Sequence, residues 1–250
     1  MSHFSVLVQT DEYVKGEYST AIEIAMKNFC EDPEYVDPPF LGFLDITDEI
    51  IEEYNNLHFN DKKDHETVED YAEYMGYEVE RDAFGELHIG SLFTKEPKWD
   101  WFTVGGRWNN MLKTKSGEYV NCCKVKDLDL CIDEEKYDMY IKLWELYIEK
   151  DINELTEEEQ NIVNKYFQLY SPEYYKERYK TKENYALCNS SLKTYAILTV
   201  EEEWLEPAPM GWFGISYANT EEEQDWDMNY INIIKRMDPE SYVTIVDCHI

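Results

Sequence analysis

Apolar runs with strand spacing stand at both ends and in the middle of this chain, and segments with helical spacing fill the stretches between them. HFSVLVQT, residues 3–10, is short, apolar and β-branched, which predicts a buried strand. Thr20 and Glu23 have capping-box spacing, and Ile22, Ala25, Met26 and Phe29 recur at helical intervals, predicting a helix. The three prolines of DPEYVDPPF predict a loop. Residues 47–57 and 66–75 predict two acidic helices, and EVERDAFGELHIG a hairpin turning near Phe84-Gly85. KWDWFTVGGRWN predicts a strand from Lys98 to Val104 that puts Trp99, Trp101 and Thr103 on one face, with the glycine pair ending or bulging it. KTKSGEYVN predicts a second hairpin around Ser116-Gly117.

From about residue 133 to 180 the pattern turns helical. Tyr137, Tyr140, Ile141, Trp144, Tyr147 and Ile148 form one stripe, and Thr156 with Glu159 opens a further helix through Ile162, Val163, Tyr166 and Phe167. TYAILTVEEEWLEP returns to β structure, and PMGWFGIS reads as a loop or short strand. Thr220 with Glu223 predicts a capped helix with Trp226, Tyr230, Ile233, Ile234 and Met237 inward, and YVTIVDCHI predicts a closing strand. Together these elements predict an α+β fold. A mainly antiparallel sheet draws on the N-terminal, central and C-terminal strands and is flanked by helices. Residues 1–132 and 186–250 form the α+β domain, and 133–185 a helical, acidic, tyrosine-rich insertion.

Composition adds constraints. In 250 residues, 43% hydrophobic and 15% aromatic content suffices for a packed core. No apolar run is long enough to cross a bilayer, and MSHFSVLVQTDEY has no signal-peptide pattern, so a cytoplasmic location is expected. The six cysteines include no CxxC pair, which fits free, buried thiols and no zinc module. The net charge of −31 repels nucleic acids and anionic membranes, so direct binding to either is not expected. Runs such as Glu157-Glu158-Glu159, Glu201-Glu202-Glu203 and Glu221-Glu222-Glu223 read as solvated helix faces or helix starts, with mimicry of a nucleic-acid backbone as the alternative.

Three stretches carry candidate chemistry. In the first, Gly105 and Gly106 let the backbone approach a ligand and offer N–H groups to an anion, Arg107 adds a planar cation, and Trp99, Trp101 and Trp108 offer flat surfaces: the parts of a nucleotide cradle. In the second, Gly211-Trp212-Phe213-Gly214 repeats an aromatic pair between glycines and fits a second wall of the same pocket. In the third, Asp247 and His249 share a strand face. If the terminal strands pair, His3 approaches His249, and these residues become acid–base groups or metal ligands. No GxxxxGK[ST], GxGxxG, GxSxG or HExxH is present, which disfavours the common nucleotide hydrolases and α/β-hydrolases. No cofactor is implied.

HFSVLV, DITDEIIEEY, KWDWFTVGGRW, MGWFG and the terminal TIVDCHI together resemble an uncharacterised family of tailed-bacteriophage proteins. The family pattern has W-D-W-Y-x-I-G-G-R-W and ends in V-D-C-H-I. Phe102 here stands for the tyrosine and Val104 for the isoleucine, and residues 133–185 have no counterpart in the pattern. The resemblance implies a phage accessory protein in the host bacterial cytoplasm. Combined with the cradle, it leads to an expected function as a counter-defence sponge. Such a protein binds a host immune signalling nucleotide, linear or cyclic, without cleaving it, through Trp99, Trp101, Gly105, Gly106, Arg107, Trp108, Gly211, Trp212, His3 and His249. The alternatives are a metal- or histidine-dependent enzyme acting on a nucleotide and an acidic protein that inhibits a host defence complex. The exposed aromatics also fit a homo-oligomer interface.

Overall fold

The computed structural model describes residues 2–14, 20–57, 64–167, 170–211 and 215–250. The chain forms two compact units, one of residues 1–25 with 101–250 and one of residues 26–100. In chain order it runs β1 (His3–Thr10), α1 (Thr20–Met26), β2 (Leu41–Asp45), α2 (Thr47–Asn56), α3 (Val68–Tyr74), β3 (Glu78–Arg81) and β4 (Leu87–Thr94). The centre holds β5 (Trp101–Val104), β6 (Leu112–Lys113), β7 (Tyr119–Val120) and β8 (Cys122–Lys124), then α4 (Glu134–Trp144), α5 (Glu157–Tyr166), α6 (Pro172–Tyr179) and α7 (Lys182–Ser190). The rest is β9 (Ala196–Leu198), β10 (Trp204–Leu205), β11 (Met210–Gly211), β12 (Ile215–Ser216), α8 (Thr220–Arg236) and β13 (Tyr242–His249).

The fold is α+β. In the larger unit the main sheet has the order β10-β9-β1-β13-β5, with β8 also on β13. The terminal strands pair antiparallel over their whole length, from His3 opposite His249 to Thr10 opposite Tyr242. One pair, β1 with β9, is parallel, and the others in this sheet are antiparallel. Residues directly opposite in an antiparallel pair share a face. Leu7, Val243 and Ile245 therefore look to the same side as His3, Ser5, Asp247 and His249. The apolar members join Trp144, Tyr185, Cys188, Tyr230 and Ile234 in one core, so the helices of 134–190 and α8 pack on this face. Leu7 and Ile245 are fully buried, and each contributes about 1.5–3 kcal/mol by leaving water. At the β13 end the same face changes from apolar to ionisable, and the candidate site lies there.

The smaller unit holds the antiparallel sheet β2-β4-β3 with α2 and α3. Ile50, Tyr71, Ala72 and Ile89 form its core. The hairpin at Phe84-Gly85 and the two acidic helices stand where the pattern predicts them. Strand β2 follows the proline-rich segment, which itself forms two short 3-10 turns rather than open loop.

Two local details differ from the sequence reading. The cap of α8 is Asn219, whose side chain accepts from the N–H groups of Glu221 and Glu222 while Glu222 reaches back to the Asn219 N–H at 2.8 Å. The box is thus Asn219 with Glu222, one residue earlier than Thr220 with Glu223. Asparagine serves an N-cap at least as well as threonine, so the two frames compete and the pattern alone does not rank them. The run Glu201-Glu202-Glu203 is a turn between β9 and β10, with Glu202 at a left-handed φ of 60°, and starts no helix.

All six cysteines are free. Burial pushes the thiols of Cys123 and Cys188 up to about 12. The thiolate is the reactive form. At pH 8 neither residue is expected to react with iodoacetamide in the native protein within an hour, whereas both react fully in denaturant, as read by peptide mass spectrometry. Native labelling of Cys188 would contradict its packing.

Candidate functional site

Asp247 is the centre of the site. It is 2% exposed, and its carboxylate has two partners from distant parts of the chain. Oδ1 lies 2.8 Å from Nδ1 of His3, and Oδ2 accepts the backbone N–H of Arg107 at 2.8 Å. An ionised carboxylate only accepts, so Nδ1 of His3 carries the proton in this pair and Nε2 is the ring's other end. The His3 side chain is 12% exposed. A buried carboxylate that fixes one imidazole nitrogen sets the ring's orientation and tautomer.

The glycine pair explains how the main chain reaches this carboxylate. Gly105 has φ 76° and ψ −69°, a γ-turn geometry, and Gly106 has φ 51°. A Cβ on Gly106 would stand 2.3 Å from Oδ2 of Asp247, and one on Gly105 would stand 2.6 Å from Nδ2 of Asn121. One glycine therefore closes on Asp247 and the other on Asn121. The turn's N–H groups are largely used within the protein: Gly105 donates to Ile245 O, Arg107 to Asp247, Trp108 to Gly105 O and Asn109 to Gly106 O. The turn does hold an anion, as its sequence suggests, but that anion is the protein's own Asp247. The Arg107 guanidinium is exposed and forms no ion pair among the described residues.

Aromatic rings complete the cluster. Trp101 stacks on His249 with centroids 5.1 Å apart at 14°, and His3 meets both edge-on at 5.3 Å. His249 is 4% exposed, whereas Trp101 is 43% exposed. This follows from register: Trp101 stands opposite His249 and Thr103 opposite Asp247 on β13, as His3 and Ser5 do on the other side. Three strands thus bring His3, Trp101, Asp247 and His249 onto one face. The approach of His3 to His249, conditional in the sequence on strand pairing, occurs.

The other named residues lie elsewhere. The predicted shared face of Trp99 and Trp101 does not form. The ladder with β13 stops at Trp101, opposite His249, so β5 is shorter than the predicted 98–104 strand. Trp99 is instead bridged to Cys30, buried, with its indole N–H donating to Met26 O at 3.1 Å. Trp108 is half-buried against the main core. Gly211 lies in the β11–β12 hairpin, where a Cβ would meet the Tyr217 ring at 2.5 Å. Trp212, with Phe213 and Gly214, lies outside the described residues.

His3, Asp247 and His249 do not gather ligand atoms as a metal ion requires. Among the described residues Asp82, Glu86 and His88 do so, within 4.8 Å of one another, in the smaller unit. Those groups have local uses. Asp82 accepts the N–H groups of Phe84 and Glu86, and His88 Nδ1 lies 2.7 Å from Asp45. The Thr47 hydroxyl first and His88 second hold the Asp45 carboxyl down at about 2.

One feature near the turn escapes the sequence reading. A cavity of about 630 Å³ opens between β5 and β8, lined by Tyr13, Thr103, Gly106, Asn109, Asn110 and Asn121 among others. The signal for it was Asn109-Asn110 directly after GGRW, with Asn121 closing the next hairpin. The chain matches no protein-family model, no curated protein and no solved structure.

Proposed function

We propose that this protein binds a nucleotide-type small molecule at the His3–Trp101 face and holds it without cleaving it. The observation that carries the reading is an exposed tryptophan stacked on a buried histidine beside an imidazole fixed by a buried carboxylate. Trp101, 43% exposed, offers ring surface on which a base stacks, a contact worth about 1–3 kcal/mol. His3 offers Nε2 to a polar group of the ligand, and Arg107 adds an exposed cation nearby in sequence. Relative to the sequence reading, the stacking role narrows to Trp101, and the phosphate contact moves from the glycine N–H groups to side chains. The resemblance to tailed-phage proteins supports a place in the host cytoplasm, where such binding removes a signalling nucleotide from a defence system.

A second reading rests on the His3–Asp247 pair, the arrangement that positions a general acid or base. In that case the bound molecule is transformed. A single experiment separates the two. The purified protein is titrated with linear and cyclic di- and trinucleotides, ADP-ribose derivatives and nucleoside phosphates, followed by tryptophan fluorescence, and the ligand is then recovered by chromatography. Binding with intact recovery, weakened at least about tenfold in Trp101→Ala, is the expected result. An altered product, lost in His3→Gln while binding persists, establishes the second reading. No binding across the panel, or binding untouched by Trp101→Ala, refutes the proposal.

A further inference from the structure

We infer that the cavity between β5 and β8 is a recognition site for the uncharged ring of a nucleobase. The inference rests on the proposed function only in taking the ligand to be nucleotide-like, and it adds a second base-binding position, in a pocket whose lining includes neither His3 nor Trp101.

The cavity exists because two strands share one neighbour. β5 pairs with β13 at residues 246–249 and β8 at residues 242–244, and the chain leaves the sheet between them. Ile245 spans the gap, its carbonyl accepting from Gly105 and its N–H donating to Asn121 O, both at 2.9 Å. The loop that leaves the sheet carries the asparagines outward and opens about 630 Å³ beneath them. That volume lies within the range of small-molecule sites, roughly 300–1,000 Å³.

The lining decides the ligand class. In a chain of net charge −31, none of the described residues that line the cavity carries a charge. A phosphate or an ammonium group finds no counter-ion among them. The polar lining consists of three carboxamides, Asn109, Asn110 and Asn121, with the hydroxyls of Thr103 and Tyr13, and a carboxamide carries a donor and an acceptor in one plane, the pattern that reads the edge of a base. Val14, Val104 and Val120 supply apolar surface for the faces of a flat ring, and Tyr13, 59% exposed, stands at the wall.

The asparagines are set up unequally. Asn121 is engaged at both amide atoms: its Nδ2 donates to Asn109 Oδ1 at 2.7 Å, and its Oδ1 accepts the Asn110 N–H. This leaves the Asn109 NH₂ group and the whole Asn110 amide. The Asn110 side chain forms no hydrogen bond among the described residues, and its backbone is held at φ 55°. Asparagine is among the few non-glycine residues that take the left-handed region readily. Keeping asparagine there retains an amide at the cavity.

The test uses uncharged ligands, so that no phosphate contact contributes. Adenosine, guanosine, cytidine and uridine, with glucose as the neutral-sugar comparison, are titrated against the full chain by saturation-transfer NMR. The variants are Asn110→Gly, which keeps the left-handed backbone and removes only the amide, and Tyr13→Ala, which truncates an exposed ring. At least one nucleoside is expected to bind, with each variant weakening it tenfold or more while the melting temperature stays within 2 °C of the parent. The inference is overturned if no nucleoside binds, if both variants bind as the parent does, or if glucose binds as tightly as the nucleosides. Trp101→Ala keeps the two readings apart. Nucleotide binding sensitive to Trp101→Ala but not to Asn110→Gly leaves the proposed function standing and this inference fallen. Nucleoside binding lost in Asn110→Gly and unchanged in Trp101→Ala does the reverse.

Discussion

Gly106→Ala is expected to destabilise the protein by about 3–5 kcal/mol, lowering the melting temperature by about 10 °C or more, or to prevent folding. The added methyl would stand 2.3 Å from Oδ2 and 2.4 Å from Cβ of Asp247. Neither atom can retreat cheaply, because Asp247 is buried in a strand paired on both sides and already bonded to His3. Relief requires moving the turn, which breaks the Arg107 N–H contact to the carboxylate. The φ of 51° adds about 1–2 kcal/mol for any residue with a Cβ. Gly117→Ala separates the two causes. Gly117 also has a positive φ, 88°, but a Cβ there meets nothing within 4 Å, so only the backbone term applies. Chemical unfolding of both variants should show Gly106→Ala costing at least twice as much as Gly117→Ala. Equal costs would mean that the close approach to Asp247 contributes nothing.

This contrast also marks what could be read from the chain and what could not. The strands at the termini were legible because HFSVLVQT and YVTIVDCHI are compact apolar runs, and pairing them needs only that both lie in one sheet. The helices of residues 47–75 and 134–166 were legible because acidic composition, helical periodicity and, for the last of them, the Thr156–Glu159 cap are local. β5 was over-extended, because alternation continues through Trp99 in the sequence, whereas a ladder ends where its partner strand ends, here at His249. The site was half legible. His3, Asp247 and His249 follow from register once the pairing is granted. The closure of Gly106 on Asp247 spans 141 positions, and no local pattern encodes which anion a glycine turn will hold. The sequence suggested a ligand phosphate, whereas the fold supplies a carboxylate. The cavity beneath Asn109 and Asn110 was invisible for a related reason. It is a gap between two strands that share a neighbour, a property of topology rather than of any one segment.

Asp247→Asn is expected to act on function more than on the fold, and Asp247→Ala on both. The carboxylate accepts from two donors, Arg107 N–H and the His3 ring. An amide of the same shape supplies one acceptor and one donor. If its oxygen keeps the Arg107 N–H, its NH₂ faces His3 Nδ1, which must then become the acceptor and move the ring proton to Nε2. The opposite flip sets the NH₂ group against the Arg107 N–H and leaves a buried donor unsatisfied, at about 1–3 kcal/mol. The first arrangement therefore prevails, at a stability cost of about 1 kcal/mol, and His3 presents a donor to the ligand where the parent presents an acceptor. Ligand affinity should fall by roughly tenfold, the equivalent of about 1.4 kcal/mol for one reversed hydrogen bond. If the second reading of the site holds, turnover should fall by roughly 10²–10⁴-fold, as for a mispositioned general base. Asp247→Ala leaves both donors without a partner in a site 2% exposed, and about 3–5 kcal/mol of stability should be lost. Nitrogen-15 NMR of the His3 ring reads the tautomer directly. A parent spectrum with the proton on Nε2, or no change of tautomer in Asp247→Asn, would show that Asp247 does not set the state of His3, and the site would reduce to a stack of rings.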